Sequence, residues 1–184
     1  MIGVRFHPVG ARGFLGFALG EATDRRIALD SIWPREARRL ASAVAQADDG
    51  GRIELAQRFV AQRIADHRVP LDEPIARCAA AIEAHSGRCS LDEVIARSGV
   101  GRRQFERRFR DAVGLSPKRF ASVLRLRSVF DVLQDDPHSD GTGAALAAGY
   151  FDQSHLIRDF RRYVGCTPAQ FVAARASLAS ALVA

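Results

Sequence analysis

Apolar residues recur at three- and four-residue intervals along most of the chain, a period that predicts helices rather than strands. Between Arg102 and Val113 the residues Phe105, Phe109, Ala112 and Val113 fall on one stripe, Arg103, Arg107 and Arg110 fall opposite, and Glu106 borders the polar face. Gln153 to Val164 repeats the arrangement. There Leu156, Phe160, Tyr163 and Val164 face inward, Ser154, Arg158 and Arg161 face away, and Gln153 and Ile157 lie on the flanks. The same reading predicts helices over Pro34–Ala47 and Arg52–Asp66, the latter with Leu55, Phe59 and Ile64 facing inward. Others follow from Asp72 or Glu73 to Ser86, over Ser90–Ser98, Pro117–Gln134 and Thr142–Ala148, and from Pro168 onward. Only the start differs: Ile2–His7 reads as a short extended segment, and the glycine-rich "VGARGFLGFALG" fits a helix or a loop.

Capping residues sharpen these boundaries. Pro34 suits the first helical position, and Ser90 followed by Glu93 is a capping box. Ser116, Asp152 and Thr167 are the expected N-caps of the helices after them. The stretch "DHRVPLDEP" has two prolines and no periodicity, so the domain boundary is placed there, separating residues 1–70 from 71–184.

Two segments match at an offset of 51 residues: Phe105 with Leu156, Arg107 with Arg158, Phe109 with Phe160, Gly114 with Gly165, Pro117 with Pro168 and Phe120 with Phe171. "GLSPKRF" returns as "GCTPAQF". A short helix, a glycine turn, a longer helix and a Gly-x-[Ser/Thr]-Pro exit make a helix-turn-helix, here written twice, with Gly99 and Gly149 at turns that need positive φ. The predicted fold is mainly α: two helix-turn-helix subdomains joined by a long connector helix, after a small, mostly helical amino-terminal segment with at most a short strand.

The strings "LDEVIARSGVGRRQFERRFRDAVGLSPKRF" and "AALAAGYFDQSHLIRDFRRYVGCTPAQF" resemble the paired DNA-binding units of the AraC/XylS family of transcription regulators. The resemblance covers roughly residues 75 to 175, and its second string is similar nearly throughout to the signature that closes the family's domain. It implies a sequence-specific regulator that binds double-stranded promoter or operator DNA, with RNA polymerase and a second copy of the chain as further partners. Residues 1–70 then read as a remnant of an effector-binding or dimerisation domain. One strand cannot close a ligand-holding barrel, so packing or dimerisation is the expected role. The sequence departs from the family in "SDGTGAALAAG", where Gly141, Gly143 and Ala144 stand near positions that usually carry larger or more helix-favouring residues. Interior glycines cost about 1 kcal/mol each relative to alanine, so the second unit is expected to be the weaker.

Charge supports this reading by its distribution. The chain carries a formal +6, and between Arg102 and Arg127 nine basic residues face only Glu106 and Asp111, an excess of seven in one segment. Arginine can donate two hydrogen bonds to guanine O6 and N7, and a carboxylate can accept from cytosine N4. Arg103, Glu106 and Arg107 are therefore the expected base readers of the first unit, and Gln153, Ser154, Ile157 and Arg158 those of the second. Ile157 suits a thymine methyl or, equally, a neighbouring helix. Arg102, Arg110, Lys118, Arg119, Arg125, Arg127 and Arg161 are expected on phosphates. The 18-residue connector, at about 1.5 Å per residue, spans roughly 27 Å. With its flanking units it can set two recognition helices about 34 Å apart, one turn of DNA.

The remaining chemistry is sparse. No apolar run reaches the roughly 18 residues of a membrane span and the amino terminus lacks a signal-peptide pattern, so a cytoplasmic, nucleoid-associated protein is expected. Cys78, Cys89 and Cys166 are isolated, and His7, His67, His85, His138 and His155 share no ligand spacing, so no metal or cofactor is expected. "GARGFLG" lacks the Lys-Ser/Thr of a phosphate loop, so no enzymatic activity is expected. The competing reading is a helical protein-interaction or sensor module with degenerate DNA binding.

Overall fold

The computed structural model describes residues 3–135 and 148–174, which cluster into two compact units. Of the described residues, one comprises 3–79 and 95–117, the other 80–94, 118–135 and 148–174. The described residues are helical with no strand among them, and residues 3–7, expected to be extended, belong to no regular element. The predicted helix Thr142–Ala148, with Gly141 and Gly143 at its start, lies outside the described residues apart from Ala148.

In the first unit the glycine-rich start resolves into helix α1, Ala11–Leu15, stopped by Gly16 at φ 80°, and a single 3-10 turn, Leu19–Glu21. Helices α2 (Leu29–Ile32), α3 (Pro34–Gln46) and α4 (Asp49–His67) follow. α4 begins three residues earlier than its apolar period suggests, because the Asp48 carboxylate accepts from the Gly51 amide at 2.8 Å and caps it. Four aromatic rings hold this segment together. Phe14 stacks on Phe6 at 5.0 Å and meets Trp33 edge-on at 4.8 Å, and Trp33 meets Phe59 at 5.7 Å. Leu55 and Phe59 are half-buried as expected, whereas Ile64, expected inward, is 43% exposed, near the last turn of its helix.

Helix α5 (Glu73–Ala84) is capped by Asp72, and α6 (Leu91–Arg97) by Ser90, whose hydroxyl accepts from the Glu93 amide. α7 (Arg102–Val113) buries Phe105, Phe109 and Ala112 and ends at Gly114, φ 87°. Gly99, in the turn before it, has φ 72°.

The second unit is built on α8 (Pro117–Asp135) and α9 (Gln153–Val164). Its core joins Leu126, Val129 and Leu133 of α8 to Ala148, Tyr150, Leu156 and Phe160, with Phe130 tilted against Phe160 at 5.4 Å and Phe171 meeting it edge-on at 5.7 Å. Asp152 caps α9 by accepting from the His155 amide at 2.6 Å. A last helix, α10, is described over residues 168–174, and Thr167 with Gln170 forms a reciprocal capping box at its start.

Candidate nucleic-acid interface

α7 and α9 each separate their apolar and polar faces sharply. On α7, Phe105 and Phe109 are fully buried, while Arg102, Arg103, Glu106, Arg107 and Arg110 are exposed. A helix anchored by two phenylalanines on one side has its rotation fixed, so the arginines opposite are held outward. On α9, Leu156 and Phe160 are the fully buried pair and Gln153, Ser154, Arg158 and Arg161 are exposed. Ile157 is half-buried, between the two environments that its sequence position allowed.

Arg108 was not singled out by the sequence, and it is the exception on α7. Its guanidinium forms a fork with Asp72, Nε to Oδ2 at 2.8 Å and Nη2 to Oδ1 at 2.6 Å. The fork holds the Asp72 carboxyl below its ordinary value against the opposing effect of burial, and raises the Arg108 guanidinium. Asp72 Oδ1 also accepts from the Ile75 amide at 3.3 Å. One carboxylate therefore starts α5 and holds α7, and one of the nine basic residues in the charged segment is neutralised within the fold.

Asp159 of α9 occupies the repeat position of Arg108 and is likewise inward, 8% exposed, with Oδ2 3.9 Å from His155 Nε2. Burial raises the neighbouring Tyr150 hydroxyl, and the Asp159 charge adds to the shift.

On α8, Lys118 and Arg127 are exposed and Arg119 is half-buried. Arg125, expected on a phosphate, is directed inward. It donates to the Gly87 carbonyl at 2.7 Å and to the Ser122 hydroxyl at 3.1 Å, and its guanidinium lies 5.8 Å from the Tyr150 ring centre. Two of its five N–H donors are thereby engaged within the fold.

No group of three or more His, Cys, Asp or Glu among the described residues could hold a metal ion, and no described helix is long and apolar enough to cross a membrane. No disulfide joins Cys78, Cys89 and Cys166, and burial raises the Cys78 thiol.

Residues 94–174 match the family model described as a helix-turn-helix domain. The HTH-type transcriptional regulator MtrA of Neisseria gonorrhoeae is 32% identical over 82 residues, 45% of this chain and 27% of that protein. An uncharacterized HTH-type transcriptional regulator of Haemophilus influenzae is 28% identical over 81 residues, again 27% of its length. The matched segment thus spans about a quarter of either relative. Among solved structures, the DNA-binding domain of AdpA, a global transcriptional factor in complex with a target DNA, is 27% identical; the match covers 55% of this chain and 91% of that one, with a TM-score of 0.49. Over residues 94–174 the chain carries a helix-turn-helix domain.

Proposed function

We propose that the protein is a sequence-specific DNA-binding transcription regulator whose helices α7 and α9 read two successive segments of the major groove. The observation that carries this reading is the outward arginine face of α7, Arg103, Arg107 and Arg110, fixed from behind by two fully buried phenylalanines and matched in part 51 residues later on α9 by Ser154, Arg158 and Arg161. Arg103, Glu106 and Arg107 read bases in one block, and Gln153, Ser154, Ile157 and Arg158 in the other. Arg102, Arg110, Lys118, Arg119, Arg127 and Arg161 contact phosphates. The 19 residues of α8, about 28 Å of helix, suit a span of one DNA turn once the flanking turns are added. Residues 71–184 act as the DNA-binding domain and residues 1–70 as a packing or dimerisation segment. The family resemblance extends the partners to RNA polymerase and a second copy of the chain, and the site of action to the cytoplasm at the nucleoid.

Selection of bound sequences from a random double-stranded pool, at about 50 and 200 mM salt, tests the proposal. Two blocks about 10 base pairs apart support it, one block restricts base reading to a single helix, and no enrichment overturns it. Arg107→Ala is expected to cost about 1 to 3 kcal/mol at one preferred base position, and equal loss on every sequence would contradict base readout. Lys118→Ala should weaken all sequences alike and reduce the salt slope by about one unit; an unchanged slope removes Lys118 from the phosphate set.

The sensor reading has one observation in its favour, an open apolar concavity of about 870 Å³ lined by Phe6, Phe14, Leu40, Val44, Phe59 and Val60 among others. At its margin Arg52 bonds to Asp49 at 3.0 Å and to the Val44 carbonyl at 3.1 Å. The outward arginines of α7 favour DNA.

A further inference from the structure

We propose that Leu19–Thr23 is a positioning element for base recognition, fixing the carboxy-terminal turn of α7 and the stem of Arg110 and thereby the angle at which Arg103 and Arg107 are presented. The proposal rests on the DNA-binding reading and assigns that reading a role for the amino-terminal segment.

The last carbonyls of a helix have no partner within it. On α7 one of the groups beyond its end is met from far away in sequence: the Thr23 hydroxyl donates to the Gly114 carbonyl and also lies 3.2 Å from the Leu19 carbonyl. A side chain on Gly114 would begin 3.3 Å from both the Leu19 carbonyl oxygen and the Thr23 hydroxyl, so the two stretches of chain are in close contact. Gly20 lies against the next turn back, where an added methyl would stand 3.1 Å from Arg110 Cγ and 3.4 Å from Cδ. Leu19 is buried, and the turn is closed by its own bonds, Glu21 N–H to the Ala18 carbonyl and Ala22 N–H to the Leu19 carbonyl, each 3.0 Å.

Together with the Asp72 fork on Arg108, this contact holds α7 at two places. Base-reading side chains need placement to about 0.5 Å to form paired hydrogen bonds, so small shifts of the helix matter. Leu19, Gly20, Glu21, Ala22 and Thr23 include no basic residue, so the element adds no phosphate contact of its own. The second recognition helix provides a contrast. Gly165 holds the place of Gly114 at φ 86°, and a side chain there would have no heavy atom within 4 Å among the described residues.

The test compares the full chain with its Thr23→Val, Thr23→Ser and Gly20→Ala variants in the same DNA selection. Thr23→Val should flatten preference within the α7 block roughly tenfold while leaving the α9 block and the salt slope unchanged. Thr23→Ser, which keeps the hydroxyl, should restore it. Gly20→Ala should reproduce the block-specific loss with the hydroxyl intact, which also decides the matter if Thr23→Val does not fold. Unchanged preferences, or equal loss in both blocks, overturn the proposal. If the unmodified chain selects nothing, the DNA reading itself fails. The contact is then judged by amide exchange at Arg110–Gly114, which should run several-fold faster in Thr23→Val than in Thr23→Ser if the brace exists. Equal exchange overturns the brace independently.

Discussion

Gly87→Ala is expected to destabilise the protein by about 3 kcal/mol, against about 1 kcal/mol for Gly99→Ala. Both glycines have nearly the same positive φ, 73° and 72°, so both substitutions carry the penalty of a side chain at positive φ. They differ in what the new methyl meets. At position 99 nothing lies within 4 Å, whereas at position 87 the methyl would stand 2.1 Å from the Ala121 carbonyl oxygen and 2.9 Å from its carbon. Those atoms belong to the backbone of α8, where Ala121 is 1% exposed, so no side-chain rotation relieves the clash. The Gly87 carbonyl also accepts from Arg125, and a turn pushed off α8 would strain that bond. Thermal unfolding of the two variants is the measurement: a drop of roughly 10 °C for Gly87→Ala and roughly 3 °C for Gly99→Ala. Equal drops would show that α8 yields to the new methyl, leaving only the conformational penalty.

What the sequence made legible follows from where periodicity operates. α7 and α9 carry strong two-sided patterns over twelve residues each, and both lie at the expected bounds, Arg102–Val113 and Gln153–Val164. The start of α4 was missed because Gly50 and Gly51 resemble a break, yet in a first turn with free amides they are tolerated once Asp48 supplies the cap. The amino-terminal aromatic cluster joins Phe6, Phe14, Trp33 and Phe59, whose separations follow no helical period. Arg108 and Arg125 count as surface charge in any tally of basic residues. Their partners Asp72 and Gly87 lie 36 and 38 positions away, and only the folded chain brings them together. The same holds for Thr23 and Gly114, 91 positions apart.

Asp72→Ala is expected to cost about 3 kcal/mol at neutral pH, from two separable losses. The first is the cap of α5, about 1 kcal/mol. The second is the fork to Arg108, whose side chains retain 15% and 28% of their exposure. Losing one member of a fully buried pair costs about 3 to 5 kcal/mol, and partial exposure reduces that to about 2. Asp72→Asn separates the two, since asparagine caps as well as aspartate but leaves Arg108 without its counter-charge. It should therefore cost about 2 kcal/mol, and adding Arg108→Met to it should recover part of that loss by removing the unpaired cation. The pH dependence has a definite sign. Because Arg108 lowers the Asp72 carboxyl in the folded protein, the unfolded chain takes up this proton first as the pH falls. The contribution is full above the unfolded value, about 3.9, and is lost as the pH drops through the lower folded value. Urea titrations between about pH 7 and pH 3 should show this acid-side loss in the unmodified protein and a smaller one in Asp72→Asn. Identical profiles would mean that Arg108 does not discriminate between the charged and neutral forms of residue 72. The bond would then be too weak to hold α7, and Leu19–Thr23 would remain as its principal brace.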